Sequence, residues 1–127
     1  MIGKVIRSLL DDSAGLVALV PVANMYPYAM NENTALPAII YTIDSMEAEY
    51  NKDGQVKDIY TFSVATFSKD YASLQTIVAL VRTALELKRG TTEGTAYEPI
   101  YLSGMQEAYS ITDDVFANRL TFNVNVI

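Results

Sequence analysis

The sequence has no cysteine, no histidine and no tryptophan. Without cysteine there is no disulfide framework, no thiolate metal site and no thiol nucleophile. Without histidine the chain lacks the side chain best suited to acid and base work near neutral pH, and the commonest transition-metal ligand. Cations are scarce too: nine Lys and Arg stand against fifteen Asp and Glu, for a net charge of −6. The nine are scattered along the chain as Lys4, Arg7, Lys52, Lys57, Lys69, Arg82, Lys88, Arg89 and Arg119. Tight duplex binding needs clustered cations that displace phosphate counterions, so this balance argues against a dedicated nucleic-acid binder. It does not exclude a protein that DNA merely passes. Long apolar runs are also missing: no stretch reaches the roughly 18 residues of a membrane-spanning helix. Asp11 and Asp12 interrupt the apolar N-terminal stretch where the core of a signal peptide would lie, so the protein is expected to stay where it is made.

What is present suits one folded domain over residues 1–127. Half of the 127 residues are hydrophobic and 19% are charged, which is ordinary for a globular chain and too apolar for a disordered one. Ile2, Val5, Ile6, Leu9 and Leu10 recur at helical spacing, predicting a short amphipathic helix. Ser13 is placed to cap a second turn through Leu16, Val17, Leu19 and Val20, which Pro21 stops. VANMYPY (residues 22–28) reads as an edge segment ending near Pro27, and AMNENTA as a loop.

From residue 38 the run AIIYTIDSMEAEY is rich in β-branched and aromatic residues, which predicts a strand. Its first half is apolar on both faces, so cover from two sides is expected. Asn51 to Gly54 carry turn chemistry, and the returning strand places Tyr60, Phe62, Val64 and Thr66 on one face. In KDYASLQTIVALVRTALELKR, Tyr71, Leu74, Val78, Val81 and Leu85 keep helical spacing, with Gly90 positioned as the cap. GTTEGTA then reads as a loop before a second hairpin, from YEPIYLSGMQEAYSI to a final strand in which Leu120, Phe122, Val124 and Val126 alternate with polar residues. The expected architecture is α+β: a four-stranded antiparallel sheet of two hairpins, packed against one long helix, with a short helical N-terminal arm.

No residue pattern defines a chemical site. Asp11 with Asp12 and Asp113 with Asp114 read as an interhelical break and a turn, and Glu47 with Glu49 as a solvated strand face. Hard-cation sites need several converging oxygens, which none of these pairs offers. The glycines around GTTEG lack the lysine and the strand-to-helix context of a phosphate loop. No cofactor or metal is therefore expected. Tyrosine is the unusual residue, with nine copies. Strand parity places Tyr97, Tyr101 and Tyr109 on one face and Ile100 and Leu102 on the other. A strand with bulky residues on both faces needs a second protein layer, either the N-terminal arm or a neighbouring subunit, and tyrosine suits interfaces through its apolar body and polar tip. These five are the candidate interface. Lys52, Asp53 and Gly54 form the candidate projecting hairpin tip.

The order of parts carries a resemblance. The N-terminal helix with its capped turn, a Met-Tyr-Pro segment, LPAIIYTI, an acidic turn ending in DG, VATFS, KDYASLQTIVALVRTAL and the ending VFANRLTFNVNVI together resemble the tail-completion proteins of long-tailed bacteriophages. These are also called tail terminators, of the head–tail joining region. The likeness covers nearly the whole chain; the acidic balance and the GTTEGTA loop depart from it. The resemblance implies a non-enzymatic virion protein, made in the bacterial host cytoplasm and located at the head-proximal end of the tail. It implies a homo-oligomeric ring, typically a hexamer, that docks on the last ring of the tail-tube protein, stops its polymerisation and meets the head connector or adaptor. DNA would pass through without sequence-specific binding, and no membrane is involved. Two other readings stay open: a tail-tube or connector-adaptor subunit, and a small ligand-binding module.

Overall fold

A computed structural model describes residues 2–28, 35–52 and 54–127. Two helices open the chain, α1 (Ile2–Asp11) and α2 (Ala14–Leu19), followed by a single 3-10 turn at Val22–Asn24. The strands are β1 (Met25–Pro27), β2 (Ala38–Asn51), β3 (Gly54–Ser68), β4 (Gly90–Thr92), β5 (Thr95–Tyr97), β6 (Tyr101–Ser110) and β7 (Val115–Val126), with α3 (Tyr71–Leu85) between β3 and β4. The chain is α+β, but its sheet has seven strands where four were expected, and it is mixed, because β1 runs parallel to β2. The expected pair of hairpins forms its centre: β2 pairs β3, β3 pairs β7 and β6 pairs β7, all antiparallel. β1 covers only Ile39 to Tyr41 of the outer edge of β2.

All three helices pack on one face of this sheet. Ile2, Val5, Ile6 and Leu10 of α1 are buried, as the spacing predicts. Leu16 of α2 is buried with them; Ser13 stands at the N-cap, although its side chain makes no capping hydrogen bond. Leu74, Ile77, Val81, Ala84 and Leu85 of α3 face Phe62, Val64, Leu120, Phe122 and Val124 of the sheet. At the centre Phe62 and Phe122, opposite each other in register, stack with ring centroids 5.3 Å apart. The other sheet face has no second layer among the described residues. The cover expected for both sides of β2 is thus present on one side only: Ile39 is buried under the helices, whereas Ile40 stays half-buried on the open face.

Three expectations need correction. α3 ends at Leu85, before the expected Gly90 cap, because the next residues pair elsewhere. Leu87 takes a left-handed φ of 62°, its N–H donates to the Ile100 carbonyl at 2.7 Å, and the Ile100 N–H donates to the Lys88 carbonyl at 3.0 Å. The GTTEGTA stretch is not a loop but the small β4–β5 hairpin, turned at Glu93 and Gly94, both with positive φ (52° and 76°). Such paired positive φ values match the twist of tight hairpins. The stretch read as one strand from Tyr97 to Ile111 is two strands, broken at Glu98–Ile100. The AMNENTA loop falls on 29–35, of which 29–34 lie outside the described residues, as does Asp53.

Candidate functional site

No described cluster of three or more Asp and Glu residues converges as a metal site would require. The acidic pairs have structural partners. Arg7 Nε lies 3.1 Å from Asp11 at the end of α1, and Lys57 Nζ lies 3.8 Å from Glu49 across the β2–β3 ladder. Asp113 and Asp114 form the turn between β6 and β7, as their side chains suggest. Ser110 Oγ donates to Asp113 at 3.3 Å, the Tyr109 hydroxyl donates to Asp114 at 2.7 Å, and Asp114 takes a φ of 53°. That bond, with the aspartate charge beside it, raises the Tyr109 pKa.

The five candidate interface residues separate. Tyr97 and Ile100 are 4% and 0% exposed and belong to the chain's own core, so they offer no surface to a neighbour. Tyr101 and Tyr109 are 57% and 47% exposed, and Leu102 is half-buried. Parity along one continuous strand would put both tyrosines on one face, but the register shifts between Leu102 and Gly104. This bulge, with one extra residue in β6, reverses the alternation beyond it. Tyr101 pairs with Asn123 on the open face; Tyr109 pairs with Phe116 on the helix side, where their rings lie 4.6 Å apart. Tyr71 of α3 completes this aromatic group, 5.4 Å from Phe116.

Two features of the surface stand out. The first is a cleft of about 420 Å³ between α3 and the β6–β7 ribbon. Its walls are apolar, with Val78 and Ala79 on the helix and Leu102, Met105 and Leu120 on the strands. Met105 is 55% exposed, although its strand position faces the helix. Asn118 lines the same cleft, is 3% exposed, and its Oδ1 has no hydrogen-bond partner. A buried carbonyl oxygen left unpaired costs about 1–3 kcal/mol, so its presence needs a reason. Glu107, on the rim, accepts from the neutral Tyr71 hydroxyl at 3.2 Å, and this bond raises the Tyr71 pKa. Outside the cleft, the outer edge of β6 pairs with no described strand. An unpaired edge displays a row of free backbone donors and acceptors.

The second feature is the β2–β3 arm. The last β7 rung on β3 joins Asp58 to Val126, yet the β2–β3 ladder continues to Asn51 and Gly54. At about 3.3 Å per residue the tip therefore projects roughly 10 Å beyond the body of the sheet. Lys57 ties the base of the arm to the body through Glu98 at 3.7 Å. Tyr50 is 69% exposed on the arm and Lys52 is exposed at its tip, with Gly54 at a φ of 120°. On the open face the polar groups pair with one another. Asp44, at a register shift in β2, accepts from Ser63 Oγ and from Arg119 at 3.0 Å, and Thr61 Oγ1 donates to Asn123 at 2.8 Å. Sequence reading missed the cleft, because Asn118 and Met105 carry no signal until β6 and α3 are placed side by side.

The chain is thus a mixed sheet with helices on one face and a hairpin arm that projects from it. The tail completion protein gp17 family model matches residues 4–126, and the chain belongs to that family. It is a structural protein of the phage virion tail. A chain of the virion of a native gene transfer agent particle shares the fold, with a TM-score of 0.76 at 15% identity, over 95% of this chain and 90% of that one. No curated protein matches the sequence. No described helix is long and apolar enough to cross a membrane.

Proposed function

We propose that copies of this chain assemble head to tail into a closed hexameric ring that caps the tail tube, ends its polymerisation and joins the tail to the head connector. One observation supports the reading: each chain bears two unlike surface features, the bare β6 edge with its apolar cleft and the projecting β2–β3 arm. A heterologous interface needs two such different patches, and it closes into a ring when the rotation between subunits permits. Tyr101, Tyr109 and Leu102 belong to the first surface; Lys52 and Gly54 belong to the second.

The ring works as a joint and not as an enzyme. Its partners are its own copies, the tail-tube protein below and the head connector or adaptor above. DNA crosses it without being gripped, in keeping with the net charge of −6 and the dispersed cations. The same two surfaces would build a tube if the rotation failed to close, so the tube-subunit reading makes a different prediction for the purified protein. Negative-stain images and native mass spectrometry are expected to show discrete closed rings. Long tubes would favour the tube subunit, and a strictly monomeric species at high concentration would sink both readings.

A further inference from the structure

We infer that the sheets of neighbouring copies join edge to edge: the outer edge of β2 in one copy, over residues 45–49, pairs antiparallel with the outer edge of β6 in the next. This inference rests on the head-to-tail ring reading and gives it a backbone contact.

Both edges are bare and unguarded. Every residue of β6 except Leu102 is exposed, so this strand buries almost nothing within its own chain. Residues 44–50 of β2 are exposed as well. Among the described residues neither outer edge has a partner there: β6 pairs only with β7, and β1 follows β2 only as far as Tyr41. The Tyr28 N–H makes one more bond, to the Tyr41 carbonyl at 3.0 Å, and Tyr28 then departs from the strand conformation at a φ of 65°. Folded proteins blunt free edges with proline or with lysine, and neither β2 nor β6 contains a proline, a lysine or an arginine. An edge without such guards is a template for a further strand.

Topology selects the partner. β2, β3, β7 and β6 alternate in direction, so the two bare edges of one chain run opposite ways. Rotation about an axis roughly along the strands keeps the sense of every strand, and so sets β6 against an antiparallel β2 with like faces on like sides. The chemistry of those faces agrees. Met46 lies opposite Tyr60 on the helix side, with Ala48 two residues on, and β6 turns Leu102, Met105 and Tyr109 to the same side. Met46 and Met105 are 50% and 55% exposed, and joining the edges would let Met46 and Ala48 extend the apolar wall of the cleft beside α3. The acids stay apart, since Glu47 and Glu49 lie on the open side and Glu107 on the helix side. The offset between the strands also fits. Met46 stands level with Tyr60, whereas Met105 stands level, through Leu120, with Val64. Bringing the two methionines side by side therefore needs a stagger of about four residues, or roughly 13 Å. Four strands span roughly 19 Å, and the tilt of roughly 35–45° found in closed sheets gives a stagger of about 13–19 Å over that width.

Hydrogen exchange read by mass spectrometry tests this on the wild-type chain. Peptides covering residues 45–49 and 101–110 should exchange at least about tenfold more slowly in rings than in monomers, as newly paired backbone amides do. The chain has no cysteine, which makes cross-linking a clean second measurement. Met46→Cys and Met105→Cys are prepared as separate proteins with different mass tags, mixed under ring-forming conditions and oxidised mildly. The expected product is a disulfide dimer joining one of each, in excess over both like-with-like dimers. Because both positions are exposed, neither variant should disturb folding. Ala48→Cys with Met105→Cys provides a second pair, in the next register on the same face. Rings that form without the slowed exchange, or without the mixed cross-link in either pair, would overturn the edge pairing and leave the ring standing. A protein that forms no ring at all would overturn both.

Discussion

At the residue scale the fold rests on side chains whose roles separate cleanly. Phe62 and Phe122 are fully buried and stacked at the middle of the sheet, so Phe62→Ala should cost about 3–5 kcal/mol, through lost burial and the cavity left behind. Chemical denaturation of the purified variant measures this, and a loss below 1 kcal/mol would mean that the core is not centred there. Asp70 caps α3, accepting from the Ser73 N–H at 3.3 Å and the Ser73 hydroxyl at 2.8 Å. These bonds hold its carboxyl below the ordinary aspartate pKa, the hydroxyl contributing most. A carboxylate with a lowered folded-state pKa stabilises above its unfolded pKa of about 4, and loses that contribution as pH falls through its own lower value. Asp70→Ala should therefore lower the unfolding temperature at pH 6, and the gap to wild type should close as pH drops from about 4 toward 2. A gap that stays constant over that window would contradict the capping role.

At the element scale, some of the architecture was legible and some was not. The alternation of Leu120, Phe122, Val124 and Val126 is a local period of two, and it marks β7 without help from the rest of the chain. The stripe from Leu74 to Leu85 marks α3 in the same way, but the end of α3 does not follow from it. Leu87 leaves the helix because its N–H meets Ile100, thirteen positions on, and a long-range partner leaves no local periodicity. β4 and β5 were hidden for the opposite reason: threonine and glycine with positive φ at Glu93 and Gly94 read as a loop until β5 is seen to join β7 at Tyr97 and Val126. The bulge at Ser103 defeated parity, which assumes an unbroken strand, and so separated Tyr101 from Tyr109. The β6–β7 turn was the clearer case. Because Asn tolerates the left-handed conformation that Asp114 adopts, Asp113→Asn with Asp114→Asn should leave assembly intact and shift stability by less than about 0.5 kcal/mol. Loss of assembly in that variant would give these carboxylates a role beyond the turn.

At the scale of the whole molecule, the chain is a one-sided sandwich of sheet and helices with an arm at one edge and a bare, cleft-backed strand at the other. Its family places it in the phage tail, and its shape suits a unit that holds neighbours on two different sides. The claim that matters most is that this subunit ends tail growth and makes the tail competent to receive a head. The most direct test is the length distribution of tails made by the parent phage when this chain is deleted, read by electron microscopy and restored by supplying the wild-type chain in trans. The account predicts headless tails of uncontrolled, excessive length; headless tails of normal length would contradict it.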